Sequence, residues 1–252
     1  MSLLASSLGK KYVMALSGLV LSIFVLGHMV GNLQVFGDPY LINAYGYKLQ
    51  HLPYGLLWVV RLFLLACVVA HIWAAITLKI QNKKARPQDY EAKATVQASL
   101  ASRTMIMSGL IILAFLIFHL LHYTVRAVPG HQYNHAIIAN DGTEYPAEVP
   151  LVLHGKTKVD AYGDPLIVHN VHDMMIAGFS YPLISLFYII GVYLLCMHLS
   201  HGVSSMFQSL GLRNEKWRYR LDKIAMVYGW VTFLGYASIP LGIWFGIVNA
   251  SV

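Results

Sequence analysis

The chain has 252 residues, of which 57% are hydrophobic and only 12% charged, and its mean hydropathy is +0.58. A soluble domain carries about 25% charged residues, so the composition excludes an ordinary soluble protein and indicates an integral membrane protein. The formal net charge of +7 raises the question of nucleic-acid binding, and the placement of the charges answers against it.

Five apolar runs are long enough to cross the roughly 30 Å of hydrocarbon. They are drawn at about 12–36, 55–80, 104–127, 181–208 and 224–248. Lys10 and Lys11 precede the first run. Lys79, Lys83, Lys84, Arg86, Lys93 and Arg103 separate the second from the third, and Arg213, Lys216, Arg218, Arg220 and Lys223 separate the fourth from the fifth. The long connection at about 128–180 instead carries Asp141, Glu144, Glu148, Asp160, Asp164 and Asp173. Basic loops stay on the cytoplasmic side, so the N-terminus is expected inside and the C-terminus outside. The residues up to Lys11 lack the layout of a signal peptide, and the first run reads as a retained span. Cys67 and Cys196 both lie in apolar runs and read as small buried hydrophobes rather than a disulfide.

In chain order, the first span is rich in small residues, Gly18, Gly27 and Gly31 among them. These let a helix or a flat cofactor approach the backbone. Asn32, Gln34 and Asp38 mark its outer boundary, a polar connector follows, and Pro53 opens the second span. Arg61, about two turns inside that span, either snorkels outwards or pairs with an acidic cofactor group. Residues 85–102 are polar and alanine-rich, an interfacial helix or loop. His131, His135, His154, His169 and His172 are scattered through the long connection without zinc-site spacing and read as solvated. That connection reads as an outer-face cap. The fifth span has no histidine and no charged residue, and is expected to pack outside the others.

Each of the first four spans carries a histidine at depth: His28, His71, His119 and His198. An ionisable group inside a span is costly and marks function by default. With a rise of about 1.5 Å per residue, His28 and His119 lie at matching depths in spans running outwards. His71 and His198 lie at matching depths in spans running inwards. The sequence thus sorts an outer pair, His28 with His119, from an inner pair, His71 with His198. Cofactor sites in bundles are built from side chains on facing helices, and two bis-histidine b-type haems are the expected occupants. Such ligation closes both axial positions of the iron and suits electron transfer. The alternatives are interhelical hydrogen bonding by the histidines and a proton-relay transporter, which would place Asp or Glu inside the spans, where none is found. His122 and His201 follow two of the four by three residues, on a similar helix face, and spacing alone does not choose between them.

These residues are similar to a known family. Gly27-His-Met-Val-Gly-Asn32, Ala70-His71, Ser108-Gly109 ten residues before His119, Thr124 and Arg126 after it, and His198-x-x-x-Gly202 followed by Leu210-Gly211 resemble the di-haem cytochrome b membrane anchor of succinate:menaquinone oxidoreductases and fumarate reductases, in its single-polypeptide, five-span form. The resemblance covers all five spans. It implies an all-α integral membrane protein, a single membrane domain over residues 1–252. Four helices would bind haem and one would be peripheral, in the bacterial cytoplasmic membrane. It puts the axial ligands at His28 and His119 for the outer haem and His71 and His198 for the inner one, against His122 and His201. It further implies a flavoprotein and an iron–sulfur subunit on the cytoplasmic face, and menaquinone or another quinone as substrate; this chain would bind neither succinate nor FAD. Two departures stand out. Some fumarate reductases of the family carry a glutamate two residues before the fourth-span histidine, where this chain has Cys196, which favours succinate oxidation. The outer connection is also longer than the family leads one to expect.

A quinone carbonyl needs a hydrogen-bond donor and its reduction a proton source. Gln34, Gln50, His51 and His122 are polar groups near the outer boundary that could serve. Haem propionates need cationic or hydroxyl partners, for which Arg61, Arg103, Ser17 and Ser108 are the candidates. A cytochrome b subunit of a hydrogenase or formate dehydrogenase would share haem and quinone, with a different docked partner.

Overall fold

The computed structural model describes residues 6–85, 105–128, 136–153 and 155–251. Among the described residues there are seven α-helices and six very short strands, besides short 3₁₀ and π turns: α1 (Ser7–Asn32), α2 (Pro39–Gln50), α3 (Leu56–Lys84), α4 (Met105–His119), β1 (Ala136–Ile138), β2 (Glu144–Pro146), β3 (Glu148–Pro150), β4 (Val152–Leu153), β5 (Lys156–Thr157), β6 (Ile167–His169), α5 (Val171–Ser180), α6 (Pro182–Ser209) and α7 (Glu215–Trp244). Five helical stretches, Ser7–Phe36, Pro53–Lys84, Met105–Val125, Pro182–Ser209 and Glu215–Trp244, are long and apolar enough to cross a membrane. The protein is therefore an all-α, multi-pass membrane protein. Its flanks suit lipid: Trp58, Leu62, Phe63 and Leu183 are all exposed, and in a bilayer such side chains meet acyl chains.

The helix ends follow from local chemistry. The Ser6 hydroxyl accepts the Gly9 N–H and opens α1. A 3₁₀ turn, Leu33–Phe36, closes that span. The expected polar connector then proves to be helical: Asp38 caps α2 by accepting the Tyr40 N–H, with Pro39 in the first helical position. Tyr54 and Gly55, at φ +56° and +68°, turn the chain into α3. The last span begins nine residues before the expected position, at Glu215 rather than 224, because Asn214 caps it by accepting the Trp217 N–H and Arg213 pairs with Asp222 at 2.8 Å.

The backbone divides into two compact units. The first comprises residues 1–26, 58–109 and 195–232. Within it α6 and α7 meet backbone to side chain at Gly229, where a Cβ would collide with the Ser200 hydroxyl and lie 2.8 Å from the Cys196 carbonyl oxygen. Tyr228 donates to the Ser22 carbonyl at 2.6 Å. Cys67 and Cys196 are both free thiols.

The second unit comprises residues 27–57, 110–194 and 233–252. Its main core gathers Val35, Ile42, Met175, Ile176, Phe179, Tyr188, Ile239 and Val248. The long connection is not a bare loop. Its strands form three antiparallel pairs, β1 with β2, β3 with β6 and β4 with β5, with Val149 opposite Val168 in the second. Asn170 then caps α5 by accepting the Asp173 N–H, and residues 172–179 are buried throughout.

In this unit Gly191 admits the ring of Phe115, which would stand 2.6 Å from an added Cβ. Overpacking a tight contact costs about 1–3 kcal/mol. Gly191→Val is expected to lower the unfolding temperature of the detergent-solubilised chain accordingly, whereas the same substitution at exposed Gly55, where a Cβ meets nothing within 4 Å, should act only through its positive φ.

Candidate functional site

Within the first unit the structure brings His71 of α3 and His198 of α6 together, with ring centroids 6.3 Å apart and planes inclined by 61°. Each Nδ1 faces an oxygen. His71 Nδ1 lies 3.2 Å from the Met14 carbonyl and 3.3 Å from the Ser17 hydroxyl. His198 Nδ1 lies 3.4 Å from the Ser108 hydroxyl. Ser17 gives its own proton to the Val13 carbonyl at 2.6 Å, and Ser108 gives its to Met105 at 3.0 Å. Both hydroxyls therefore present lone pairs to the rings. A carbonyl only accepts, so Nδ1 of His71 carries the hydrogen and Nε2 keeps its lone pair, the state of a metal-ligating histidine with an outer hydrogen bond. Gly18 and Gly109 lie against these same rings, at 3.2 Å and 3.6 Å from the two Cε1 atoms measured from a notional Cβ.

Within the second unit His28 of α1 and His119 of α4 approach to 5.7 Å between centroids, inclined by 79°. Aromatic rings box them in. Phe115 stacks on His119 at 6.2 Å and 26°, Tyr236 of α7 stands 6.2 Å from His28, and the Tyr188 hydroxyl reaches His119 Nδ1 at 3.4 Å. After His119 the helix widens into a π turn, Leu120–Val125, a feature frequent at functional sites, and Arg126 ends it in the left-handed region at φ +60°.

The two rival histidines have partners of their own. His122, fully buried, meets the Tyr188 hydroxyl through Nδ1 at 3.0 Å. His201 Nε2 lies 3.0 Å from the Ser205 hydroxyl one turn along its helix. Of the other polar candidates, Gln34 is half-buried, while Gln50 and His51 are exposed at the end of α2, His51 stacked on Tyr47 at 4.0 Å. Arg61 is exposed, with its guanidinium over the Trp58 ring at 5.0 Å. Arg103 lies outside the described residues, as do Arg86, Lys93, His131, His135 and His154. The residues that sequence reasoning missed are Tyr188, Tyr236 and the Met14 carbonyl. Nothing in the spacing distinguishes these tyrosines from the many that anchor membrane helices at the interface.

Among the described residues no group of three or more His, Cys, Asp or Glu is placed to hold a metal ion. Two imidazoles fill two coordination positions, so either pair by itself leaves the rest of a metal's ligand set to other groups.

Of the five histidines of the connection, His169 and His172 lie among the described residues, and neither is solvated as expected: His169 is half-buried and His172 is buried. His172 Nδ1 meets the Asp173 carboxylate at 2.9 Å. His169 contacts the Met174 sulfur at 3.4 Å, and its pKa falls to about 4, first through burial and then through the positive Arg126. An unfolded histidine titrates near 6.5. Between those values the unfolded chain binds a proton that the folded chain refuses, so stability falls as pH drops from about 6.5 to about 4 and levels off below. His169→Asn is expected to flatten that slope in thermal unfolding measured across this range.

No family model, curated protein or solved structure matches the chain.

Proposed function

We propose that this chain is the di-haem cytochrome b membrane anchor of a succinate:quinone oxidoreductase, with His28 and His119 holding one b-type haem and His71 and His198 the other. The observation that carries the reading is the pairing of four intramembrane imidazoles at centroid separations of 5.7 Å and 6.3 Å. A metal–imidazole nitrogen bond is about 2.0–2.1 Å long. With each ring centre a further ~1.1 Å behind its nitrogen, two imidazoles sharing one ion would stand about 6.2–6.4 Å apart, the separation of His71 and His198; the His28 and His119 rings, at 5.7 Å, stand closer than this. A haem held by His28 and His119, and another held by His71 and His198, would supply one-electron chemistry.

The chain's own residues would do the rest. Met14, Ser17 and Ser108 orient His71 and His198 through Nδ1. Phe115, Tyr188 and Tyr236 enclose the second pair and keep water from it. Arg213, Lys216, Arg218, Arg220 and Lys223 fit a cytoplasmic docking surface for an iron–sulfur subunit and its flavoprotein, with the N-terminus inside a bacterial cytoplasmic membrane. The chain would conduct electrons between that partner and a quinone, with dicarboxylate chemistry left to the flavoprotein. Cys196, standing where some fumarate reductases have glutamate, favours succinate oxidation.

The test is a reduced-minus-oxidised optical spectrum with a pyridine haemochrome count on the purified full chain. About two b-haems per chain are expected from two bis-histidine sites. A colourless preparation would sink the proposal in favour of a transporter. Haem with a co-purifying hydrogenase or formate dehydrogenase subunit would reassign the partner.

A further inference from the structure

The three hydroxyls that face Nδ1 of the candidate ligand imidazoles are not alike. Ser17 and Ser108 each spend their proton on a carbonyl of their own helix, three or four residues back. Tyr188 is different: it belongs to α6, it is buried, and its hydroxyl stands between His119, the last residue of α4, and His122 of the π turn that follows. It is 3.4 Å from His119 Nδ1 and 3.0 Å from His122 Nδ1. A hydroxyl has one proton to give and lone pairs to accept with, so the direction of the chain follows from one end. If Nε2 of His119 faces iron, its Nδ1 carries hydrogen and donates to the Tyr188 oxygen. The Tyr188 proton then goes to Nδ1 of His122, the shorter contact.

Resting on the haem reading above, we infer that Tyr188 is a positioning residue for the His28/His119 haem, holding His119 in its ligating tautomer and setting the electron density of its ring through a directed chain, His119 to Tyr188 to His122. Outer-shell acceptors raise the basicity of a ligating histidine, and a donor that is itself hydrogen-bonded onward is polarised into a better acceptor. His122 therefore serves at one remove, as the acceptor that strengthens Tyr188, which gives a role to the histidine that rivalled His119 in the sequence. The surroundings sharpen the effect. Phe115 and Phe118 pack on Tyr188 at 5.2 Å and 6.0 Å between centroids, which fixes the ring that carries the hydroxyl.

The experiment is a potentiometric titration of the full chain carrying Tyr188→Phe, an exchange that removes one oxygen and no ring. Both haems should remain. The haem that His119→Ala eliminates should become easier to reduce, because a less electron-rich imidazole supports ferric iron less. The expected size is about tenfold in the oxidised-to-reduced ratio at fixed poise, equivalent to about 59 mV for one electron. The other haem should not move. Ser108→Ala is the reciprocal control and should shift only the His71/His198 haem. His122→Leu keeps Tyr188 but removes the acceptor of its proton, and should shift the same haem in the same direction by less. It also decides the matter if Tyr188→Phe loses its haem. An unmoved potential in both variants, while Ser108→Ala shifts its own haem, overturns the inference. So does an equal shift of both haems in Tyr188→Phe, which would mark a general loosening. Absence of haem from the unaltered chain would instead refute the parent reading.

Discussion

Alanine at His119 is expected to halve the haem content of the purified chain, from about two to about one, and alanine at His71 to do the same by removing the other haem. The two remaining spectra should differ, because the imidazole environments do. His71 faces the Met14 carbonyl and Ser17, while His119 faces a tyrosine inside an aromatic box. The partners extend the test. His28→Ala should remove the same haem as His119→Ala, and the double variant should lose no more than either single one. His198→Ala should match His71→Ala. His122→Ala and His201→Ala are the discriminating controls: both should keep two haems, since their rings are engaged with Tyr188 and Ser205. Retention of both haems in His119→Ala, or loss in His122→Ala, would show that the ring pairs seen here are packing contacts and that the ligands lie elsewhere.

The second large effect is expected in the strand-bearing connection. Asp173 is fully buried, and its carboxylate gathers four donors: His172 Nδ1 at 2.9 Å, the Asn170 amide at 2.8 Å, and the backbone N–H and hydroxyl of Ser251 at 2.9 Å and 2.8 Å. Asn170 also bonds to Asn43 of α2 at 3.5 Å, and Asn43 accepts the His172 N–H at 2.9 Å. The knot ties α2, α5 and the C-terminal residues of the second unit. Leaving buried donors without their acceptor costs about 1–3 kcal/mol for each group that stays desolvated and unanswered. Asp173→Ala is therefore expected to lower stability by that amount in detergent and to expose the C-terminal residues to carboxypeptidase. Asp173→Asn, which keeps one acceptor oxygen, should fall between. A change below about 0.5 kcal/mol, the scale of a surface substitution, would show the knot to be incidental.

Asp173 also predicts an acid limit. Burial pushes its pKa up, but the bonds from His172, Ser251 and Asn170 outweigh this and hold it below the ordinary carboxylate value. The folded state thus binds the proton less readily than the unfolded one. The stabilisation is fully present above about pH 4, the unfolded value, and is lost as pH falls through the lower folded value. This window lies below the His169 slope, so the two contributions separate in one pH series.

Which parts of this protein could be read from one sequence follows from the range of the forces involved. The five spans were legible because hydrocarbon demands a continuous run of apolar residues with every backbone group satisfied inside the segment, a local property. The four histidines were legible for the same reason: an imidazole among twenty apolar neighbours is conspicuous, and a constant rise per residue turns sequence position into depth. Helix α2 was missed although Asp38 and Pro39 mark its start, because its polar face resembles a connector when read without its packing. What only the tertiary structure decided was set by contacts between distant residues. Asn43 meets His172 across 129 positions, Asp173 meets Ser251 across 78, and Tyr188 meets His119 across 69. Such contacts leave no periodicity in the chain. A buried tyrosine shared by two histidines has the same local sequence as one facing lipid headgroups, and only packing tells them apart.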